Sequence, residues 1–245
     1  MGIIEMAAML WNSRKLQFYN YPVSFEGVQF GTFLKDPSLP LMSELAFADF
    51  LKEFCQDFKV DQVDFCRQIH SDQVHIVKEI KSSWPKEGDG LITKLQKVAL
   101  MGFHADCQIA FFFDPHQKVI ALAHAGFKGQ VLKIYSKIIY QMVHEFGCHH
   151  RDIQVLFSPS LGINHSAFIN YQSEFPADLW HYRNHQGHVD LKKMAVDEII
   201  RNGIPWQNIK SNPSCTFEEE TKFYSYRKTK TLRRHISYIF LNGEQ

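Results

Sequence analysis

Residues 99–130 constrain this chain more than any other stretch. Two apolar runs, Gln108–Phe113 and Val119–Ala123, have strand length and are rich in Phe, Val, Ile and Leu. Asp114-Pro115-His116-Gln117 lies between them, with Asp and Pro in the first two positions of a type I turn. The pattern predicts a β-hairpin with Pro115 and His116 at its tip. In the simplest register Asp114 faces Gln117, and Cys107 then faces His124. Directly opposed side chains have Cβ atoms about 5 Å apart, so a thiol and an imidazole there can share a proton or a metal ion. A slip of two residues leaves them diagonal and still within reach of one ion. The glycine-bearing turn Ala125-Gly126-Phe127-Lys128-Gly129 follows and leads into Gln130–Phe146, which repeats apolar residues at helical spacing up to Gly147. A strand, a glycine turn and a helix start together offer backbone N–H groups to an anion, and Lys128 adds charge.

Composition narrows the class. With 45% hydrophobic residues, 22% charged residues and a formal net charge of +1 over 245 residues, the chain reads as one globular domain spanning 1–245. Near-neutral charge argues against nucleic acid as the main partner. No apolar run reaches about 18 residues, so no membrane span is expected. Met1–Leu10 carries Glu5 and no basic leader, and reads as no signal peptide. Five scattered cysteines without a Cys-x-x-Cys pair fit free thiols in a reducing cytoplasm.

Along the chain, residues 15–33 form short strand-like runs and Ser43–Phe58 an amphipathic helix. Val63–Gln68 and Gln73–Ile80 are expected as a strand pair with His70-Ser71-Asp72 at the bend, and Lys81–Asp89 as a loop. Ile153–Phe157 is expected as a strand and residues 170–183 as helical. Asp190 is expected to cap a helix running to Ile200. Thr221–Arg227 and His235–Leu241 are expected as closing strands.

Several stretches, in order, resemble the YfiH family, also called laccase-domain or polyphenol-oxidase-like. They are Gln68-Ile69-His70, Gly88-Asp89-Gly90, Ala105-Asp106-Cys107, His124-Ala125-Gly126-Phe127-Lys128-Gly129, Asp190-Leu191, Cys215-Thr216 and Phe223-Tyr224-Ser225-Tyr226-Arg227. The resemblance implies an α+β fold, a four-layer α/β/β/α sandwich with mixed sheets of the CNF/YfiH kind. It implies a site of His70, Cys107 and His124 that holds Zn²⁺, with copper the lesser candidate. It also implies phosphorolysis of the purine nucleosides adenosine, inosine, guanosine and S-methyl-5'-thioadenosine, with adenosine deamination alongside. Such a protein works on small molecules and phosphate, without nucleic acid or membrane, as a monomer or homodimer. This chain departs from the family pattern at Phe127-Lys128, where Trp-Arg is usual, and at Ser158, where Gly is usual.

The residue chemistry agrees with more than one activity. A thiolate and two imidazoles suit zinc and leave a fourth position open, and a water there can be activated for deamination. Without metal, Cys107 and a histidine can act as nucleophile and base of a cysteine hydrolase or deamidase. A non-catalytic metal-binding protein is the third possibility. Gly126, Lys128, Gly129 and Arg227 are the expected phosphate contacts, and Asp106 is a candidate to orient a ligand. Cys55, Cys66 and Cys148 read as structural, Cys215 stays open, and His104 reads as lying off the site. A blue multicopper centre needs roughly ten His and Cys ligands, commonly as His-x-His pairs. No His-x-His occurs here.

Overall fold

The computed structural model describes residues 16–80 and 85–243. The start of the chain and Trp84 lie outside the described residues. Ten strands fall in chain order: β1 Val28–Thr32, β2 Gln62–Phe65, β3 Val74–Val77, β4 Gly90–Thr93, β5 Val98–His104, β6 Gln108–Asp114, β7 Val119–Ala125, β8 Gln154–Phe157, β9 Ile209–Lys210 and β10 His235–Leu241. They make a four-stranded sheet in the order β1-β10-β5-β2 and a six-stranded sheet in the order β3-β4-β7-β6-β8-β9, each with parallel and antiparallel pairs.

Strands β5, β6, β7 and β10 are buried along their whole length. Side chains alternate between faces of a strand, so each of these strands feeds two cores. Leu100, Ile109, Phe111, Phe113, Ile120, Leu122 and Ile239 point into a core between the two sheets. Their neighbours Met101, Phe103, Tyr238 and Phe240 face the helix Ala46–Phe58, which lays Phe47, Phe50, Phe54 and Phe58 on the smaller sheet. Ala110, Phe112, Ala121 and Ala123 face the helices Ile134–Phe146 and Leu191–Arg201. The layers therefore run helix, sheet, sheet, helices, the expected α/β/β/α sandwich. Each fully buried Phe, Leu or Ile contributes roughly 1.5–3 kcal/mol, which is why continuous apolar strands end up in the two middle layers.

Several local expectations need correction. The β6–β7 hairpin pairs Asp114 with Val119 and Ile109 with His124, so Cys107 is diagonal to His124, not opposite it. The Asp114 carboxylate accepts the backbone N–H groups of His116 and Gln117, and Lys118 takes φ +50°. Those interactions stretch the turn to four residues. Val63–Gln68 and Gln73–Ile80 do not pair. Their strands β2 and β3 join different sheets, each parallel to a later strand, and the bend at His70 crosses from one sheet to the other. The helix after the hairpin comes in two pieces, Phe127–Val131 and Ile134–Phe146, broken at Lys133 with φ +63°. Gly147 ends the second piece at φ +70°, as expected. Residues 170–183 are one helical turn, Tyr171–Glu174, and a 3-10 segment, Ala177–Tyr182, separated at Pro176. Thr221–Arg227 is not a strand; Ser225 instead caps a helical turn at Tyr226–Thr229. Asp190 caps Leu191–Arg201 as expected, accepting from the Lys193 N–H.

Candidate active site

Three connections converge at one end of the inter-sheet layer. The bend after β2 brings His70, which adopts φ +58°. The tight link between β5 and β6 brings Cys107, and β7 brings His124. Cys107 Sγ lies 3.8 Å from His70 Nε2, the two histidine rings stand 5.0 Å apart at 76°, and one donor atom from each of the three residues falls within 4.8 Å of the others. The diagonal register suffices to bring Cys107 and His124 together, because residues two apart on a strand share a face.

Asp89, from the Gly88-Asp89-Gly90 stretch, organises the cluster. It is 2% exposed. Its carboxylate accepts the N–H groups of Ile69, His70 and Ser71, the Ser71 hydroxyl at 2.8 Å, and His124 Nδ1 at 2.8 Å. With Nδ1–H donated to Asp89, His124 turns Nε2 toward Cys107, as an N–H donor when the ring is charged and as a lone pair for a metal ion when it is neutral. Sequence reasoning expected this orienting task of Asp106. Asp106 instead accepts the Thr216 hydroxyl and the Arg227 N–H and so ties the Arg227 segment to the residue before Cys107. The one sequence signal for Asp89 was that Gly88-Asp89-Gly90 is among the stretches that carry the family resemblance.

Charge follows from this geometry. Burial pushes the Cys107 thiol up, but the adjacent His124 charge and hydrogen bonds from His124 and His70 outweigh it and bring it down to about 6. Burial opposes the imidazolium of His124, while Cys107 and Asp89 favour it and raise it to about 9. Asp89 is held below the usual carboxylate range, its burial being outweighed by His124 and the Ser71 donors.

His70 and Cys107 open onto a cavity of about 470 Å³, within the roughly 300–1,000 Å³ of small-molecule sites. Gly126, Phe168, Tyr226, Arg227 and Lys230 also line it. At Gly126 an added Cβ would come within 2.9 Å of His70 Cδ2 and 3.0 Å of Cys107 Sγ, so the absence of a side chain there makes the cluster possible. Arg227 donates from Nη1 to the Ala167 carbonyl and sits 5.5 Å over the Phe168 ring. Lys128 is exposed and does not line the cavity. Gly129 is buried, with room for a Cβ only 3.3 Å from the Ser71 carbonyl. The helix after Gly126 has five residues and carries a small dipole. The expected anion contacts thus divide: Gly126 and Arg227 line the cavity, and Lys128 and Gly129 do not. Phe168, Tyr226 and Lys230 were not singled out in the sequence. His104 ends β5 outside the three-residue group and shares a hydrogen bond at 2.8 Å with Ser237 Oγ.

The donor set fits one borderline-soft ion. A tetrahedral ion held about 2.3 Å from sulfur and about 2.0 Å from nitrogen keeps those atoms roughly 3.5 Å apart, close to the 3.8 Å seen. A multicopper centre does not fit: among the described residues, His, Cys, Asp and Glu gather into two groups of three.

Fold and cluster together define a class, a two-sheet α/β/β/α protein with a His-Cys-His group at the edge of the inter-sheet layer. The family model described as "Multi-copper polyphenol oxidoreductase laccase" matches residues 46–242, and the chain belongs to that family, the YfiH family. Purine nucleoside phosphorylase LACC1 of Mus musculus is 30% identical over 151 residues, 58% of this chain and 35% of that protein. Purine nucleoside phosphorylase YlmD of Bacillus subtilis is 27% identical over 153 residues, 58% of this chain and 54% of that protein. The match therefore spans about half or less of these relatives. Among solved structures, the hypothetical protein YfiH of Bacillus licheniformis superposes with a TM-score of 0.72 at 23% identity, covering 88% of this chain and 93% of that one. YlmD from Geobacillus stearothermophilus gives 0.75 at 20%, covering 92% and 99%. All five cysteines are free thiols. Among the described residues, no helix is long and apolar enough to cross a membrane.

Proposed function

We propose that the chain is a purine nucleoside phosphorylase acting on adenosine, inosine, guanosine and S-methyl-5'-thioadenosine, with adenosine deamination as a second reaction. The observation that carries it is a cavity of nucleoside size lined both by His70 and Cys107 and by two cations, Arg227 and Lys230. Relatives named purine nucleoside phosphorylase support the reaction class. Arg227 and Lys230 attract phosphate, Arg227 with a fork of donors that suits a tetrahedral oxyanion. Phe168 and Tyr226 offer ring faces to the purine. A phosphate oxygen bonds to C1′ of the ribose as the C1′–N9 electron pair withdraws into the purine. The proton of hydrogen phosphate ends on that purine, leaving ribose 1-phosphate and free base. His70, Cys107 and His124 are the residues that would hold Zn²⁺, and the bound ion would supply Lewis-acid charge and an acidified water for deamination. Asp89 keeps His124 in the tautomer that presents Nε2, and Gly126 leaves room for His70 and Cys107 to approach each other.

Product analysis of purified protein given adenosine tests this. Adenine and ribose 1-phosphate formed only when phosphate is present support phosphorolysis, and inosine supports deamination. Absence of both overturns the proposal.

A metal-free hydrolase is favoured by one observation: Asp89, His124 and Cys107 form a carboxylate–imidazole–thiol array with the thiol held down to about 6. Loss of activity on thiol alkylation but not on chelation supports the hydrolase; loss on chelation rules it out.

A further inference from the structure

A second group of metal-ligating side chains lies outside the cluster just described. We propose that His165, Cys215 and Glu218 form a second divalent-cation site of the zinc class. One donor atom from each falls within 4.8 Å of the others, and His165 Nε2 lies 3.0 Å from Glu218 Oε1. The three residues come from two segments held side by side. Ser160 and Cys215 form a parallel bridge, and Thr216 N–H donates to the Ser160 carbonyl at 3.1 Å.

Each donor is set before any ion arrives. The His165 ring stacks on Phe217 at 3.9 Å and 11°, which fixes its plane. The Gly162 N–H donates to Cys215 Sγ at 3.2 Å, a hydrogen bond that stabilises a ligating thiolate from outside the coordination sphere. The chain passes Cys215 closely at this point, since a Cβ on Gly162 would stand 3.1 Å from Sγ. Cys215 and Glu218 both line an open groove, so an ion can enter and keep a solvent ligand. Lys192 shares that groove, but its ammonium group donates to the Asn212 and Ser214 carbonyls at 2.8 and 2.7 Å. Sulfur, imidazole and carboxylate together suit zinc, and three protein ligands leave one position open.

Location gives such an ion a consequence. Residues 160–165 and 215–218 reach Asp106 from both sides: Leu161 N–H donates to its carbonyl and Thr216 to its carboxylate. Asp106 adjoins Cys107 and accepts the Arg227 N–H. An ion bridging His165 to Cys215 and Glu218 therefore ties together the wall that carries Arg227, and its binding is read as added thermal stability.

Cobalt titration of chelator-stripped full chain carrying Cys107→Ala tests the site, because any sulfur-to-cobalt charge-transfer band must then come from another cysteine. One equivalent of Co²⁺ with that band, and a rise in Tm on binding, are expected. Adding His165→Ala or Glu218→Gln, both at exposed or half-buried positions that leave the core intact, should weaken cobalt binding by at least about tenfold. Cys215→Ala should remove the band. Absence of the band in Cys107→Ala protein overturns the proposal, and so does a band and affinity unchanged by His165→Ala and Glu218→Gln. None of these readouts depends on nucleoside turnover.

Discussion

At the scale of single residues, Asp89 does more than any ligand candidate. It gathers five donors, four from the bend at residues 69–71 and one from His124 in β7, on one buried carboxylate. Hydrogen bonds to a charged group contribute about 1.5–3 kcal/mol each, and stranding their donors costs more. Asp89→Asn should therefore destabilise the protein by about 3 kcal/mol in urea denaturation and weaken metal binding roughly 10–100-fold. The pH dependence has a definite sign. The folded carboxyl is held below its unfolded value, so its contribution is complete above the ordinary carboxylate range and is lost as pH falls through it. The variant should thus show a shallower acid limb than the parent. Cys107 gives a second test. In metal-stripped protein its alkylation rate should rise around pH 6, and His124→Ala, which removes the charge that holds the thiol down, should move that rise to higher pH. An inflection unmoved by the substitution would separate the two side chains. The candidate ligands His70, Cys107 and His124 were legible in the sequence because each sits in its own short motif. The role of Asp89 was not, because a carboxylate between two glycines says nothing of which donors will converge on it.

Elements explain which structural expectations held. Long apolar strands and the Phe47, Phe50, Phe54 and Phe58 stripe were readable, since burial of one helix face writes a period into the sequence and burial of both strand faces writes a continuous apolar run. Turns were not, because side-chain hydrogen bonds decide their length. Asp114 captured two backbone N–H groups and shifted the β6–β7 register by two residues. Likewise, apolar runs on either side of His70 looked like a hairpin, yet the N–H groups of residues 69–71 went to Asp89 and the strands went to separate sheets. Between β7 and the helix Phe127–Val131 lies Gly126, whose φ of −77° is open to any residue. Its constraint is proximity alone. Gly126→Ala places a methyl against His70 and Cys107, two side chains that can move, so Tm should fall modestly, by the equivalent of about 1–3 kcal/mol. Displacement of the ligands should cost more than tenfold in turnover and in metal affinity. Retained turnover with full metal content would show that the close approach at Gly126 is dispensable.

On the scale of the whole molecule, the four-layer arrangement buries two histidines where β5 and β10 meet. His104 and His235 are register partners, each 1% exposed, with rings 5.4 Å apart. His235 donates from Nδ1 to the Phe33 carbonyl and accepts the Tyr224 N–H on Nε2, a pattern only the neutral ring can make. Burial lowers His235 to about 4. Burial, with the charge of His235 and then His124, also takes His104 well below its ordinary value. The unfolded chain binds protons at these rings near pH 6.5 while the folded chain does not, so stability falls as pH drops below that value. For His235 the loss between pH 7 and pH 5 is about 2 kcal/mol, and His104 adds in the same direction. Opposing contributions exist. Glu198, raised by burial, favours the folded state at lower pH. Cys107 and His124 shift in opposite senses, and their effects largely offset across this window. Urea denaturation of metal-free protein at pH 7 and pH 5 should therefore show a net loss on acidification, and His235→Gln should lose about 2 kcal/mol less over the same interval whatever its stability at pH 7. An unchanged difference between the two pH values in the variant would mean that His235 is not held neutral by the junction of β5 and β10.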